Sequence, residues 1–384
     1  MMVIGLMSGT SADGVDAALV RFRGRAERPD WQLIGQASVP YPSELRDRIV
    51  AVAQGVPHPA GELLELAEAI TACQAEAALA CDPQRRASLI GCHGQTIWHR
   101  PPSATTDGGT TAGASWQMLL APALAQRLER PVVHDFRAAD LACGGQGAPL
   151  VPMADAALLG RIDGWRALLN LGGIANLTLI PPRCGPDRDA PVLGWDCGPA
   201  NSLIDLAVEH FSAGSEYFDA DGRRASAGRV EETAIQRWLQ EPYFLQAAPK
   251  STGRELFGRA DLQRRLEELT HLQPDDCIAT LTAFTAAVVA ADLERSPSQG
   301  RPRPLELVVA GGGGRNPVLM EGLRQRCRGI RVERSDRLAL PVDSREAVVF
   351  ALLAWWHWRR HPGNAPAVTG AHRRVLLGQR AEPV

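Results

Sequence analysis

Twice in this chain an apolar run enters a polar, glycine-bearing turn and comes back as a second apolar run. Val3-Ile-Gly-Leu-Met7 leads into Met7-Ser-Gly-Thr-Ser-Ala-Asp-Gly14 and returns as Val15-Asp-Ala-Ala-Leu-Val-Arg21. Ala167-Leu-Leu-Asn-Leu171 leads into Gly172-Gly173 and returns as Ile174-Ala-Asn-Leu-Thr-Leu-Ile180. Asp13-Gly14 is a strong tight-turn signal between strands. Each hairpin opens a stretch in which strands and helices alternate. The 384 residues exceed what one ordinary core organises. An α/β protein of two similar domains with a cleft between them is the expectation. The expected bounds are 1–134 plus 361–384 for the first domain and 135–360 for the second, with a change of pattern at Gly144-Gly-Gln-Gly-Ala-Pro149.

Hydrophobic periodicity predicts a helical region over 43–81, and helices near 116–128, 200–211, 226–240, 259–268, 275–293 and 343–360. Leu89-Ile90-Gly91 and Leu305-Glu-Leu-Val-Val-Ala310 read as buried strands.

Composition removes several classes of function. Net charge is −2 with no basic block, so no nucleic-acid or anionic-membrane partner is expected. The eight cysteines form no C-x-x-C pair, which argues against a cysteine-built zinc site and for reduced thiols. No metal-ligand set is assigned. The apolar stretch 278–291 is too short to span a bilayer, and no signal peptide is recognised at the N-terminus. A cytoplasmic enzyme is the expectation. Lys250 is the single lysine, beside 40 arginines. Without any Gly-Lys pair there is no P-loop, so a nucleotide must be held another way.

Several segments carry chemistry. Ser8, Thr10 and Ser11, with the glycines of the first turn, offer hydroxyls and amides to phosphate oxygens. The same residues serve as a plain Ser/Thr-rich hairpin. Asn170-Leu-Gly-Gly173 with Asn176 is a second phosphate turn or again a simple hairpin. Val309-Ala-Gly-Gly-Gly-Gly-Arg-Asn316 has Gly311-x-Gly313 but Asn316 in place of the third glycine of a dinucleotide fingerprint. It suits a backbone platform for adenosine better than an NAD site. Asp196 stands at a strand end before a helix, where a general base is useful and where a turn or cap aspartate is also common. Gln95 in His93-Gly-Gln-Thr96 suits a sugar hydroxyl. Asp135-Phe-Arg137 and Glu346 are further polar candidates.

Taken in order, these segments resemble the anhydro-N-acetylmuramic acid kinases across nearly the whole chain. The resemblance runs through Ile4-Gly-Leu-Met-Ser-Gly-Thr-Ser-Ala-Asp-Gly-Val-Asp16, His93-Gly-Gln-Thr96, Asp135-Phe-Arg137, Gly144-Gly-Gln-Gly-Ala-Pro-Leu-Val-Pro152 and Asn170-Leu-Gly-Gly-Ile-Ala-Asn176. It continues through Asp196-Cys-Gly-Pro-Ala-Asn201, Lys250-Ser-Thr-Gly-Arg-Glu255, Gly312-Gly-Gly-Arg-Asn316, Arg345-Glu-Ala347 and Val368-Thr-Gly-Ala371.

The resemblance implies two actin-like domains of the sugar-kinase and heat-shock ATPase type flanking a nucleotide cleft. It implies conversion of 1,6-anhydro-N-acetylmuramic acid, ATP and water to N-acetylmuramic acid 6-phosphate and ADP in peptidoglycan recycling, with Mg2+, by a homodimer. It assigns Asp196 as general base. It assigns ATP to Gly9, Thr10, Ser11, Ala12, Asp13, Gly14, Val15 and Asp16. Gly172, Gly173, Gly312, Gly313 and Asn316 join the nucleotide site, and Gln95, Arg137 and Glu346 contact the sugar. Three positions depart from the family pattern. Members often carry Gly-Asp after a Leu-Gln in the region of Ser115-Trp-Gln-Met-Leu-Leu120. Ser344-Arg-Glu-Ala347 stands for Ala-Lys-Glu-Ala, and Cys197-Gly-Pro-Ala-Asn201 for a Gly-Pro-Gly-Asn pattern. A levoglucosan-type anhydrosugar kinase and a non-enzymatic actin-like ATPase are the alternatives.

Overall fold

The computed structural model describes residues 1–9, 11–104, 110–248, 250–253, 256–338, 341 and 344–384. In chain order its strands are β1 (Met2–Ser8), β2 (Gly14–Arg25), β3 (Arg28–Pro40), β4 (Leu89–Arg100), β5 (Ser103–Ala104), β6 (Thr110–Thr111), β7 (Ala114–Met118), β8 (Val132–His134), β9 (Arg166–Leu171), β10 (Ile174–Ile180), β11 (Leu193–Pro199), β12 (Glu306–Ala310), β13 (Arg331–Arg334) and β14 (Gln379–Ala381). The chain divides into two compact units: Met1–Leu158 with Ala339–Val384, and Leu159–Leu338.

The first unit is built on a sheet of order β14-β8-β4-β1-β2-β3, with β7 added to β4. β1, β2 and β3 form an antiparallel meander, while β4 lies parallel to β1 and β8 parallel to β4. The second unit has the order β11-β10-β9-β12-β13. Here β9, β10 and β11 form the antiparallel meander, and β12 and β13 follow in parallel. The two units thus repeat one topology: the strand that opens the meander also pairs with the first parallel strand. That is the physical content of the two glycine-turned hairpins.

One helix corrects the expected domain bounds. Helix Arg345–Trp358 packs on β1 and β4 of the first unit rather than closing the second domain. Gly5 and Gly91 are register partners on those strands. A Cβ on Gly5 would lie 1.8 Å from the Ala347 carbonyl oxygen, and one on Gly91 would lie 2.3 Å from that of Phe350. Two glycines side by side let the helix backbone settle directly on the sheet. Residues 135–158 likewise belong to the first unit. Asp155 there forms a buried ion pair with Arg345 at 2.5 Å.

Two helix expectations are also corrected. The 43–81 region is two helices, Ser43–Ala53 and Ala60–Cys81, because Gly55, Pro57 and Pro59 interrupt it. The helix near 116–128 begins only at Ala121, since Trp116 is in β7 and pairs with Trp98 of β4. Helix Pro274–Arg295 is the one helix among the described residues long and apolar enough to cross a membrane. Fifteen of its residues, Cys277 and Phe284 among them, are buried within the second unit, which makes it a core helix.

Candidate functional site

In the first unit, β1 ends at Ser8 and β2 begins at Gly14, leaving a short turn between them. Ala12 takes a left-handed conformation, φ +55°, and its amide donates to the Gly9 carbonyl at 3.1 Å. Gly14 is required by close approach: a Cβ there would stand 2.3 Å from the Val39 carbonyl oxygen. Ser11 and Asp13 face solvent, whereas the Ala12 and Val15 side chains are wholly buried. Ala12 and Val15 therefore offer a ligand only their backbone. Asp13 meets Arg46 at 3.5 Å. Thr10 lies outside the described residues. Asp16 lies on β2 between Met7 and Ser38.

Gln95 reaches this turn from β4. Its Nε2 donates to the Gly9 carbonyl at 3.1 Å and to the Thr96 carbonyl at 3.3 Å. Its Oε1 is buried and has no hydrogen-bond partner among the described residues. A buried acceptor without a donor is costly, so a ligand hydroxyl or amide there has a clear gain. Arg137 donates through Nη1 to the Gly147 carbonyl at 2.8 Å and through Nη2 to His93 Nε2 at 3.0 Å. Burial lowers the Arg137 pKa, and the charge of Glu346 opposes that shift. Glu346 itself is exposed in the first turn of helix Arg345–Trp358. Gln95, Arg137 and Glu346 thus fall in the same unit as the phosphate hairpin.

His93 links these residues. Burial first, then Arg137, pushes its pKa down to about 3. Its Nδ1 is 2.9 Å from the Gly94 carbonyl, so Nδ1 carries the proton and Nε2 accepts from Arg137. The folded protein refuses a proton that the unfolded chain accepts near its ordinary value of 6.5. The stability His93 contributes is therefore complete above pH ~6.5 and is lost as pH falls toward about 3. At pH 5 the loss is about 2 kcal/mol, at 1.36 kcal/mol per pH unit. His93→Gln cannot titrate. Thermal melts of both proteins from pH 7.5 to pH 5 are expected to show the shallower decline in the variant. Parallel declines would remove His93 as the cause.

In the second unit, the ends of β9 and β12 bring the glycines together, since Ala310 pairs with Asn170. The glycine run splits by role. A Cβ on Gly311 would meet Asn170 Oδ1 and the Leu171 carbonyl at 2.7 Å, and one on Gly313 would meet Leu171 Cβ at 2.7 Å. Gly312 has nothing nearer than Asn201 Nδ2 at 3.8 Å, which leaves it open to a ligand. The Gly172 and Gly173 carbonyls accept from the amides of Asn201 and Ser202, at 3.0 and 3.1 Å, and so hold the start of helix Asn201–Phe211. Asn316 is an N-cap: its Oδ1 accepts from the Val318 and Leu319 amides at 3.0 and 3.2 Å.

Asp196 sits half-buried in β11, opposite Asn176 of β10. Three donors converge on its carboxylate. Asn176 Nδ2 donates to Oδ1, while Ser251 Oγ and the Thr252 amide donate to Oδ2 at 3.0 and 2.9 Å. The Tyr243 hydroxyl donates to its carbonyl at 2.8 Å. Burial, and then the Asp196 charge, pushes the Tyr243 pKa up, so that hydroxyl stays protonated. A carboxylate fixed in this way, still partly open to solvent, is equipped to take a proton from a bound water. Neighbouring Cys197 is buried, and burial together with Asp292 holds its thiol far above the range of a nucleophile. Ser251, Thr252 and Asn176 are the site residues that local sequence patterns did not single out as partners of Asp196. They come from two separate stretches of chain, neither of them adjacent to Asp196 in sequence.

The family model described as Anhydro-N-acetylmuramic acid kinase matches residues 1–382. The chain belongs to the anhydro-N-acetylmuramic acid kinase family. Relatives of that name from Synechococcus sp. (strain CC9902) and Synechococcus sp. (strain WH7803) are 64% and 63% identical, over 100% of this chain and 100% of each relative. Among solved structures, the chain is similar to xylulose kinase from Rhodospirillum rubrum at 15% identity, covering 100% of this chain and 94% of that one, with a TM-score of 0.46. Membership makes the protein an enzyme, a kinase, in place of a non-enzymatic actin-like ATPase. The strand order repeated in its two units gives the pair of similar α/β domains expected from the sequence.

Proposed function

We propose that the protein catalyses ATP-dependent, hydrolytic phosphorylation of 1,6-anhydro-N-acetylmuramic acid to N-acetylmuramic acid 6-phosphate. The observation that carries this reading is the Asp196 carboxylate, oriented by Asn176, Ser251 and Thr252 in a chain of this family. Asp196 takes a proton from water as the water oxygen bonds to the anomeric carbon. The bond from that carbon to the bridging oxygen breaks. The bridging oxygen, now O6, bonds to the γ-phosphorus, and ADP leaves. Each step assists the other, because the bridging oxygen departs as a nucleophile rather than as a free alkoxide.

The remaining residues bind and orient. In the first unit, the backbone of Gly9 to Asp16 holds ATP phosphates, and Gln95, Arg137 and Glu346 bind the sugar. In the second unit, Gly172, Gly173 and the open Gly312, with Gly313 and Asn316 shaping the loop, serve the nucleotide. Amides directed at the transferring phosphoryl group stabilise its charge. Among the described residues no three His, Cys, Asp or Glu side chains form a metal cluster. Mg2+ bound mainly by phosphate oxygens and water needs few protein ligands, and it would neutralise phosphate charge. We place the enzyme in peptidoglycan recycling, as a cytoplasmic homodimer without nucleic-acid or membrane partners.

A coupled ADP-release assay tests the substrate. Turnover is expected with 1,6-anhydro-N-acetylmuramic acid, with the product carrying phosphate at O6 and oxygen from labelled water at the anomeric carbon. Turnover of levoglucosan alone would overturn the assignment.

A further inference from the structure

Lys250 is the single lysine in a chain that otherwise uses 40 arginines. Its side chain and that of its partner Asp292 are 3% and 4% exposed, and they meet at 3.1 Å. Burying an ion pair often stabilises a fold no more than apolar packing of the same volume. The place of this pair suggests a different role.

β11 is an edge strand, and residues 250–252 run along its free side, where the Asp196 amide donates to the Lys250 carbonyl at 3.0 Å. Side chains alternate along an extended segment. Ser251 faces the Asp196 carboxylate, and Lys250 enters the core. In β11 the same alternation sends Trp195 and Cys197, the two neighbours of Asp196, to the core side. Trp195 Nε1 donates to Asp292 Oδ2 at 3.1 Å, and the wholly buried Cys197 lies within the field of the same carboxylate, which helps to hold its thiol protonated. Tyr243, whose ring centroid is 5.0 Å from Lys250 Nζ, donates its hydroxyl to the Asp196 carbonyl. One buried carboxylate therefore ties Trp195, the residue before Asp196, to the strap that supplies two of the three donors to the Asp196 side chain.

We propose that Lys250, through its pair with Asp292, is a positioning residue for Asp196, fixing the strap that presents the Ser251 hydroxyl and the Thr252 amide to the carboxylate. The proposal rests on Asp196 being the base. A compact ammonium on an apolar stem suits this enclosed position, whereas the broad fork of an arginine demands more partners.

Steady-state kinetics of the full-length enzyme with ATP, Mg2+ and 1,6-anhydro-N-acetylmuramic acid tests this. Lys250→Met keeps the stem and removes the charge. Its kcat is expected to fall roughly 100-fold, with both KM values within about 3-fold of wild type. Ser251→Ala is expected to lose about 10-fold in kcat alone and almost nothing further in the Lys250→Met background, because the strap no longer delivers that hydroxyl. A purely structural lysine gives a lower melting temperature, a near-normal kcat for the folded fraction and effects that multiply with Ser251→Ala; that result overturns the proposal. Should Lys250→Met not fold, Lys250→Met with Asp292→Leu leaves no unpaired buried charge. This double variant is expected to fold and to show the same kcat loss, and a kcat within about 3-fold of wild type overturns the proposal. Asp196→Asn is assayed alongside. A dead Asp196→Asn with a near-normal Lys250→Met removes the positioning role alone. An active Asp196→Asn removes the base and the positioning role together.

Discussion

Asp196→Asn is expected to lower kcat by about 10³- to 10⁴-fold while ATP binding stays close to wild type. A positioned general base contributes on that scale. In energy it amounts to about 4–5.5 kcal/mol, at 1.36 kcal/mol per decade. The fold should survive, because the donors can be rearranged. The Thr252 amide can only donate, so the new carbonyl oxygen must face it. The new amide then faces Asn176, whose own amide can turn to present its oxygen. Asparagine thus fills the same space with its bonds made but takes no proton. Calorimetry with a non-hydrolysable ATP analogue, run beside the ADP-release assay, separates binding from chemistry. A rate within about tenfold of wild type would take Asp196 out of the base role.

Gly5→Ala is expected to destabilise the first unit by more than about 4 kcal/mol and to yield little soluble protein. Gly5 has ordinary backbone angles, so the cost is one of space alone. The added methyl carbon would sit 1.8 Å from the Ala347 carbonyl oxygen and 2.5 Å from the Ala351 nitrogen. Both are helix backbone, which cannot rotate away as a side chain can. To make room, the whole of helix Arg345–Trp358 must lift off β1 and β4, opening voids along one of the most apolar faces of the unit. Gly61→Ala is the control. Nothing lies within 4 Å of its added carbon, and it sits in helix Ala60–Cys81. It should be neutral or stabilising by up to about 1 kcal/mol. Thermal melts and soluble yield of the two variants decide the matter. A Gly5→Ala protein that melts like wild type would mean that the helix is not seated as described.

Much of the fold was legible because its signals are local. An apolar run, a glycine turn and a second apolar run specify a hairpin within some twenty residues, and the chain contains two. The ordered motifs that mark the family are local too, and from them Asp196, the Gly9 to Asp16 turn and Gln95 could be named. Other readings needed the third dimension. Residues 345–358 read as an apolar helix in the right place, but the unit it belongs to depends on Gly5 and Gly91, more than 250 residues away and meaningful only as register partners. Asn316 looked like part of a nucleotide loop, yet its side chain caps a helix, a role fixed by the turn geometry.

The turn at Gly9 to Asp16 and the aspartate before Cys197-Gly-Pro199 are thus properties of the sequence itself, since residue type and chain proximity suffice to place them. What holds the aspartate is not. Asn176, Ser251 and Thr252 meet at Asp196 only after β10, β11 and the strap at 250–252 have come together. Lys250 stood out in the sequence as the single lysine, but its role was hidden because Asp292 is 42 residues further along, near the end of a helix. Pairing across a sheet and burial against a distant helix are decided by packing, and packing depends on contacts that no local pattern of residues encodes.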